Sequence, residues 1–267
     1  MESSKTSTGP GELLAFVTRN EIGIMLNKNA PRSGVVLVGS TSDIGHAILH
    51  QLKPKNKTPL IMLGRDETST SLVSSWPGPV TFLHCDLRNI DEIRNVFEKL
   101  RNVYRIDFAI VASAHLPKEF NEGDFDSVLE TFSINSTGVA LVLSCLSSIM
   151  AESGGTLVLI SSVATLRPRI KNFTYGASKL SADFFALGLA AKHRGGLLDI
   201  KVVRPGYVFS KLSQSFPVAP FATHPSRVAR DVIRGINRSQ NVIYSPRILR
   251  IVMWTLRILP SRLFHQL

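Results

Sequence analysis

Val35-Val36-Leu37-Val38-Gly39-Ser40-Thr41-Ser42-Asp43-Ile44-Gly45 is the stretch whose reading decides the fold. Four consecutive apolar residues are what a central parallel strand, covered on both faces, requires. A glycine-bearing turn follows and leads into a helical stretch at residues 47–52. Strand, tight turn and helix start in succession bring backbone N–H groups and the positive end of a helix dipole together, a seat for a pyrophosphate. The same residues also read as an ordinary strand-to-helix turn in which Ser42 or Asp43 caps the helix. The rest of the chain separates the two readings.

Downstream, short apolar runs alternate with helical patterns. Strands are expected at 59–63, 80–84, 106–111, 156–160, 200–203 and 241–244, and helices notably at 90–100, 125–150 and 175–193. This βαβ alternation predicts an α/β fold: a single Rossmann-type domain with a doubly wound parallel sheet of about seven strands and helices on both faces. Residues 1–32 are expected to be an N-terminal extension, partly disordered, with 12–24 weakly amphipathic. Met25 is a second candidate start for translation. The reductase-like domain is expected over 33–245, followed by a basic amphipathic segment over 246–267.

Composition narrows the partners. The net charge is +11 and the pI is near 10.0, which points to an anionic partner: nucleic acid, a phosphorylated substrate or a membrane surface. Cys85 and Cys145 lie in apolar runs without metal spacing, so they read as reduced core residues and no metal site is expected. No apolar run reaches the roughly 18 residues that suggest a spanning helix. The N-terminus lacks the pattern of an export signal, which implies a cytoplasmic or peripheral membrane location.

The chemistry gathers in Ser161-Ser162-Val163 and Tyr175-Gly176-Ala177-Ser178-Lys179. Tyr175 and Lys179 are four apart and share one face of a helix. A tyrosine alone titrates near pH 10, too high for effective proton transfer at neutral pH. A neighbouring ammonium is expected to lower that value. With the Ser162 hydroxyl, these groups suit a carbonyl and its alcohol. A lone Tyr-x-x-x-Lys pair is also common on solvated helix surfaces; here it stands beside a strand-ending serine and a nucleotide-type loop.

With these motifs assembled, the chain resembles the short-chain dehydrogenase/reductase family from about residue 34 to the C-terminus. The resemblance implies Ser162, Tyr175, Lys179 and Asn135 as the catalytic set, Asn135 holding a water in a proton relay. It implies cofactor contacts from Gly39, Thr41, Ser42, Asp43, Ile44 and Gly45, from Asp86 and Leu87 at the adenine, from Ala112, and from Pro205, Gly206 and Val208 at the nicotinamide side. Arg65 beside Asp66 leaves NADH and NADPH both open. Asp43 stands where the family usually has glycine, and Ala112-Ser113-Ala114 replaces its usual Asn-Ala-Gly.

The acidic loop residue, the run from Arg169 to Lys179 and the tail around Arg250 to Phe264 resemble the subfamily of decaprenylphosphoryl-2-keto-ribose reductases. That likeness implies a polyprenyl-phosphate keto-sugar substrate, a flavin-dependent oxidase partner that supplies the ketone, and a homo-oligomer. Arg167, Arg169 and Lys171 are candidates for the lipid phosphate, or a solvated loop. After Asp231 no acidic residue occurs, while six arginines do. Residues 248–259 are too short to span a bilayer but suit its surface; they equally suit a helix that closes the core. The alternatives are a reductase of another lipid ketone, such as a 3-oxoacyl thioester, and a non-catalytic nucleotide sensor. No nucleic-acid-binding motif accompanies the basic charge.

Overall fold

The computed structural model describes residues 32–258, apart from 53, 55, 56 and 118–122. The expectations for residues 1–31, including the second start at Met25, lie outside the described residues, as does the end of the tail. Seven parallel strands form one sheet in the order β3-β2-β1-β4-β5-β6-β7. They are β1 (Arg32–Val38), β2 (Leu60–Gly64), β3 (Val80–His84), β4 (Tyr104–Val111), β5 (Gly155–Ile160), β6 (Leu198–Pro205) and β7 (Val242–Ser245). The helices between them are α1 (Asp43–Gln51), α2 (Ile90–Val103), α3 (Phe125–Phe132), α4 (Val139–Ser153), α5 (Phe173–Lys192) and α6 (Pro225–Ile236), with α7 (Leu249–Ile258) last.

The apolar run at β1 alternates between two cores. Val36 and Val38 face one cluster with residues of α2, α4 and α5, while Val35 and Leu37 face another with residues of α1 and α6. Both faces of the strand are dry, so nearly every position must be apolar. Chain order reverses between β1 and its neighbours β2 and β4, which opens a crevice at the strands' C-terminal ends. Gly39, Ala112, Ser161 and Gly206 follow directly on β1, β4, β5 and β6 along that edge.

The single helix expected over 125–150 is in fact three segments: α3, a π-helical stretch Ser133–Gly138, and α4. Taken together, Phe125–Ser153 is long and apolar enough to cross a membrane by length and composition. Half of its most apolar window is buried inside the fold, with Val142, Leu143 and Leu146 fully covered in the core. It packs as a core helix.

Candidate active site

Residues 39–45, the candidate phosphate loop, form the turn from β1 into the first turn of α1. Gly39 has φ +92, and a Cβ there would lie 2.7 Å from the Ser113 nitrogen, so glycine alone lets the turn after β1 touch the turn after β4. Ser42 is the N-cap of α1 and its Oγ accepts from Gly45 N at 3.1 Å. The N–H groups of Asp43 and Ile44 are first-turn donors of the kind a helix start leaves unpaired, and they are what an anionic group needs. The Asp43 carboxylate is already engaged: its Oδ2 accepts the Lys211 N–H at 2.7 Å, tying the loop to the segment after β6. Behind the turn, the buried His46 ring is 2.5 Å from the Ser40 carbonyl oxygen. Burial holds its pKa below the ordinary value.

Beside this loop, Arg65 and Asp66 are exposed at the end of β2. Asp86, half-buried after β3, takes a bidentate ion pair from Arg88, at 2.5 Å to Oδ2, and its N–H is bonded by Glu92. The Arg88 bond holds the Asp86 carboxyl below its usual range, and Arg65 adds to that.

At the end of β5, Ser162 caps the short 3-10 turn Val163–Thr165, accepting from Ala164 N at 3.1 Å. Gly176 is what brings Tyr175 to it. A Cβ at position 176 would lie 2.8 Å from the Ala164 carbonyl oxygen, so only glycine lets α5 approach the turn this closely. The Ser162 side chain acts on the Tyr175 phenol and favours its ionised form. Lys179, 1% exposed, donates from Nζ to the Ile160 carbonyl at 2.7 Å.

The electrostatics differ from the expectation that Lys179 lowers the Tyr175 pKa. Burial dominates and pushes Tyr175 up to about 12; the Ser162 side chain pulls the other way. Burial also brings Lys179 down to about 8, against the nearby Asp183 carboxylate, which raises it. Tyr175 is therefore a neutral phenol at pH 7, a proton donor and not a phenolate.

Asn135 lies in the π-helical stretch, fully buried, and its side chain is committed. Nδ2 donates to the His115 carbonyl at 2.7 Å and to Ser178 Oγ at 3.1 Å, while Oδ1 accepts from His115 N at 2.7 Å. Both amide hydrogens are used, so the expected role of holding a water falls to something other than this NH₂ group. Its visible work is to fix the segment after β4 against α5.

Sequence reasoning missed a buried network beneath these residues. Asp183, one turn after Lys179, receives Ser161 Oγ at 2.6 Å and both arms of Arg204 at 2.9 and 2.6 Å. Arg204 also bonds the Tyr244 hydroxyl at 3.1 Å. Burial disfavours the guanidinium charge, and the paired carboxylate more than offsets this, holding its pKa above the ordinary value. Four elements, the ends of β5, β6 and β7 and the middle of α5, are thereby tied together under Ser162 and Pro205. Arg204 was visible beside Pro205 in the sequence, but nothing local marked its carboxylate partner.

The segment after β6 folds back on itself. Val208 bridges Thr223, and the Tyr207 hydroxyl donates to the Ser213 and Phe216 carbonyls at 3.0 and 3.1 Å. Leu212, Val218 and Phe221 are exposed there, at 40%, 62% and 48%. Of the candidates for a lipid phosphate, Arg169 and Lys171 are exposed. Arg167 is instead bonded to the Leu256 carbonyl near the end of α7, which engages its guanidinium in holding that helix.

Fold and site together define a Rossmann-type protein. A family model described as short chain dehydrogenase matches residues 33–218. An uncharacterized oxidoreductase of Streptomyces coelicolor is 31% identical over 258 residues, covering 89% of this chain and 96% of that one. An uncharacterized oxidoreductase of Mycobacterium tuberculosis is 34% identical over 127 residues, 47% of this chain and only about half, 51%, of that relative. A short-chain dehydrogenase from Sphingobium yanoikuyae in complex with NADPH superimposes with a TM-score of 0.71 at 21% identity, covering 80% of this chain and 88% of that one. The chain belongs to the short-chain dehydrogenase family.

Proposed function

We propose that this oxidoreductase is an NAD(P)H-dependent carbonyl reductase of a lipid-linked keto-sugar. Specifically, the reaction is reduction of decaprenylphosphoryl-2-keto-β-D-erythro-pentose to decaprenylphosphoryl-β-D-arabinofuranose. The observation that carries the reductase assignment is the Ser162–Tyr175 hydroxyl pair at the end of β5, with Lys179 buried beneath it. The NADPH of the Sphingobium relative fits the residues here: a Gly39 turn against Ser113, first-turn donors on α1, and Asp86 flanked by Arg65. Gly39, Thr41, Ser42, Asp43, Ile44 and Gly45 would hold the pyrophosphate, with Asp86, Leu87 and Ala112 at the adenosine and Pro205, Gly206 and Val208 at the nicotinamide.

A bound reduced nicotinamide supplies the hydride to the ketone carbon. Ser162 donates a hydrogen bond to the carbonyl oxygen as negative charge grows there. Tyr175 delivers the proton to that oxygen, leaving an alcohol. A phenol held near 12 is protonated at every physiological pH and still far more acidic than an alcohol, so transfer to the alkoxide runs downhill. Asp183 favours the charged form of Lys179, which balances the phenolate that Tyr175 becomes.

The substrate class rests on the surroundings. Exposed Arg169 and Lys171 lie between Ser162 and Tyr175 in sequence, suited to a phosphate, and Leu212, Val218 and Phe221 offer apolar surface after β6. Two-electron oxidation of the C2 alcohol would supply the ketone, and the subfamily likeness makes a flavin-dependent oxidase the proposed partner for that step. The same apolar surface also suits an acyl ketone such as a 3-oxoacyl thioester, the second reading. NADH and NADPH oxidation, followed with the lipid-linked ketopentose and with a 3-oxoacyl thioester, separates them. Turnover of the first alone supports the proposal, and turnover of the thioester alone replaces it. Arg65→Ala should raise KM for NADPH more than for NADH; equal effects would remove Arg65 from the 2′ position.

A further inference from the structure

We propose that the outward face of α7 docks on an anionic lipid surface and sets the rim of the candidate site against the bilayer. The helix has two apolar faces. Leu249 and Met253, each 4% exposed, pack with Leu256 on Val163, Leu166 and Tyr244. That inner face closes the core. On the other side Ile251, Trp254 and Ile258 are 62%, 66% and 63% exposed. Their i, i+3, i+7 spacing stacks them on one stripe, with exposed Arg250 and Arg257 on the same helix. The ten described residues cover about 15 Å, and Arg250 and Arg257 interrupt the apolar stretch, a pattern that suits the surface of a bilayer.

The charge selects the occupant. From residue 232 onward the chain has six arginines and no carboxylate side chain. A second copy docking this face on itself would set Arg250 and Arg257 against their own copies, and the helix carries no acidic residue to offset them, since a two-fold contact presents the same patch twice. An anionic lipid surface offers the opposite charge to the arginines, a hydrocarbon boundary to the two isoleucines and the headgroup level to Trp254. The placement adds a consequence. Val163 and Leu166 directly follow Ser162, and a Cβ on Gly206 would strike Leu249 Cδ1 at 2.7 Å. The docked helix is thus fastened to the two segments that flank the reacting groups. This deepens the lipid-substrate reading and rests on it only for the benefit to turnover, not for the docking itself.

The test is co-sedimentation of the full chain with vesicles of phosphatidylcholine, with and without phosphatidylglycerol, alongside reduction of a soluble ketone and of a detergent-dispersed lipid ketone. Binding should need phosphatidylglycerol, weaken in high salt, and fall by about tenfold or more in I251D/W254D and in R250E/R257E. Melting temperature and soluble-ketone turnover should be unchanged in both variants. Undiminished vesicle binding by the variants, or equal binding to pure phosphatidylcholine, overturns the proposal. So does light scattering in which the variants turn an oligomer into a monomer without any wild-type vesicle binding, which makes the face a subunit contact. Vesicle binding without lipid-ketone turnover leaves the docking standing and removes the substrate reading; the reverse result does the opposite.

Discussion

Lys179→Met should make the folded chain more stable at neutral pH. The lysine is 1% exposed, and burial brings its pKa from 10.5 to about 8. That drop corresponds to roughly 3 kcal/mol lost from folding stability at pH 7, because the unfolded chain binds the proton more tightly. Methionine has a similar unbranched shape and no charge to desolvate. It forfeits the 2.7 Å bond to the Ile160 carbonyl, which costs about 1 kcal/mol or somewhat more. The desolvation effect wins, for a net gain of roughly 1–2 kcal/mol. The sign changes with pH in a defined way. Between pH about 8 and 10.5 the unfolded lysine stays protonated while the folded one does not, so wild-type stability rises across that window and the advantage of the variant fades. Tyr175, raised from 10.0 to about 12, acts oppositely: the folded chain keeps its proton longer, and stability falls from pH 10 upward, in both proteins. Urea unfolding of wild type and variant at pH 7 and near the alkaline end of the window measures the difference. A variant no more stable than wild type at pH 7, or equally advantaged at both pH values, would refute the reasoning.

Other perturbations are as direct. Tyr175→Phe should lower ketone reduction by roughly 10²–10⁴-fold while cofactor affinity, read by fluorescence titration, stays near wild type; substantial residual turnover removes Tyr175 as the acid. Gly176→Val places a Cβ only 2.8 Å from the Ala164 carbonyl oxygen, so α5 must shift away from the turn and carry Tyr175 from Ser162. Its expected cost is about 1–3 kcal/mol of stability with a larger loss of activity, and wild-type rates would count against the close-approach argument. Arg204→Met strands the buried Asp183 carboxylate and should cost roughly 3–5 kcal/mol, a fall in Tm of about 10 °C. The double variant Asp183→Leu with Arg204→Met should recover most of this, and a single variant melting within about 2 °C of wild type would show the pair to be inert.

How much of this could be read from residue order follows from the range of each interaction. The sheet was legible because buried parallel strands need apolar runs: β5, expected at 156–160, spans Gly155–Ile160 with its last four residues buried. Ser162, Tyr175 and Lys179 were legible because their spacing is local. The direction of the Tyr175 shift was not: adjacency suggested help from the lysine, whereas depth of burial, which spacing does not encode, decided it. Arg167 resembled its exposed neighbours Arg169 and Lys171 until α7, some ninety residues on, offered it a carbonyl. Asp183 and Arg204 are 21 residues apart with no shared motif, and only the folding of β6 beside β5 makes them a pair. The π-helical stretch was hidden because an apolar pattern with one extra residue per turn still looks helical.

That stretch settles two alignments at once. Upstream and inside it, Asn135 must present its amide to His115 and Ser178, whereas downstream Val139, Val142, Leu143 and Leu146 must fill the core beneath the sheet. A residue in an α-helix turns the chain by about 100°. With a uniform period, satisfying one set would swing the other about a third of a turn from its target. The wider turn acts as a phase adjuster, letting one continuous helix keep time with two unrelated surfaces. Shortening it by a single residue should therefore do more harm than any substitution within it, since one end would fall out of step with everything it touches.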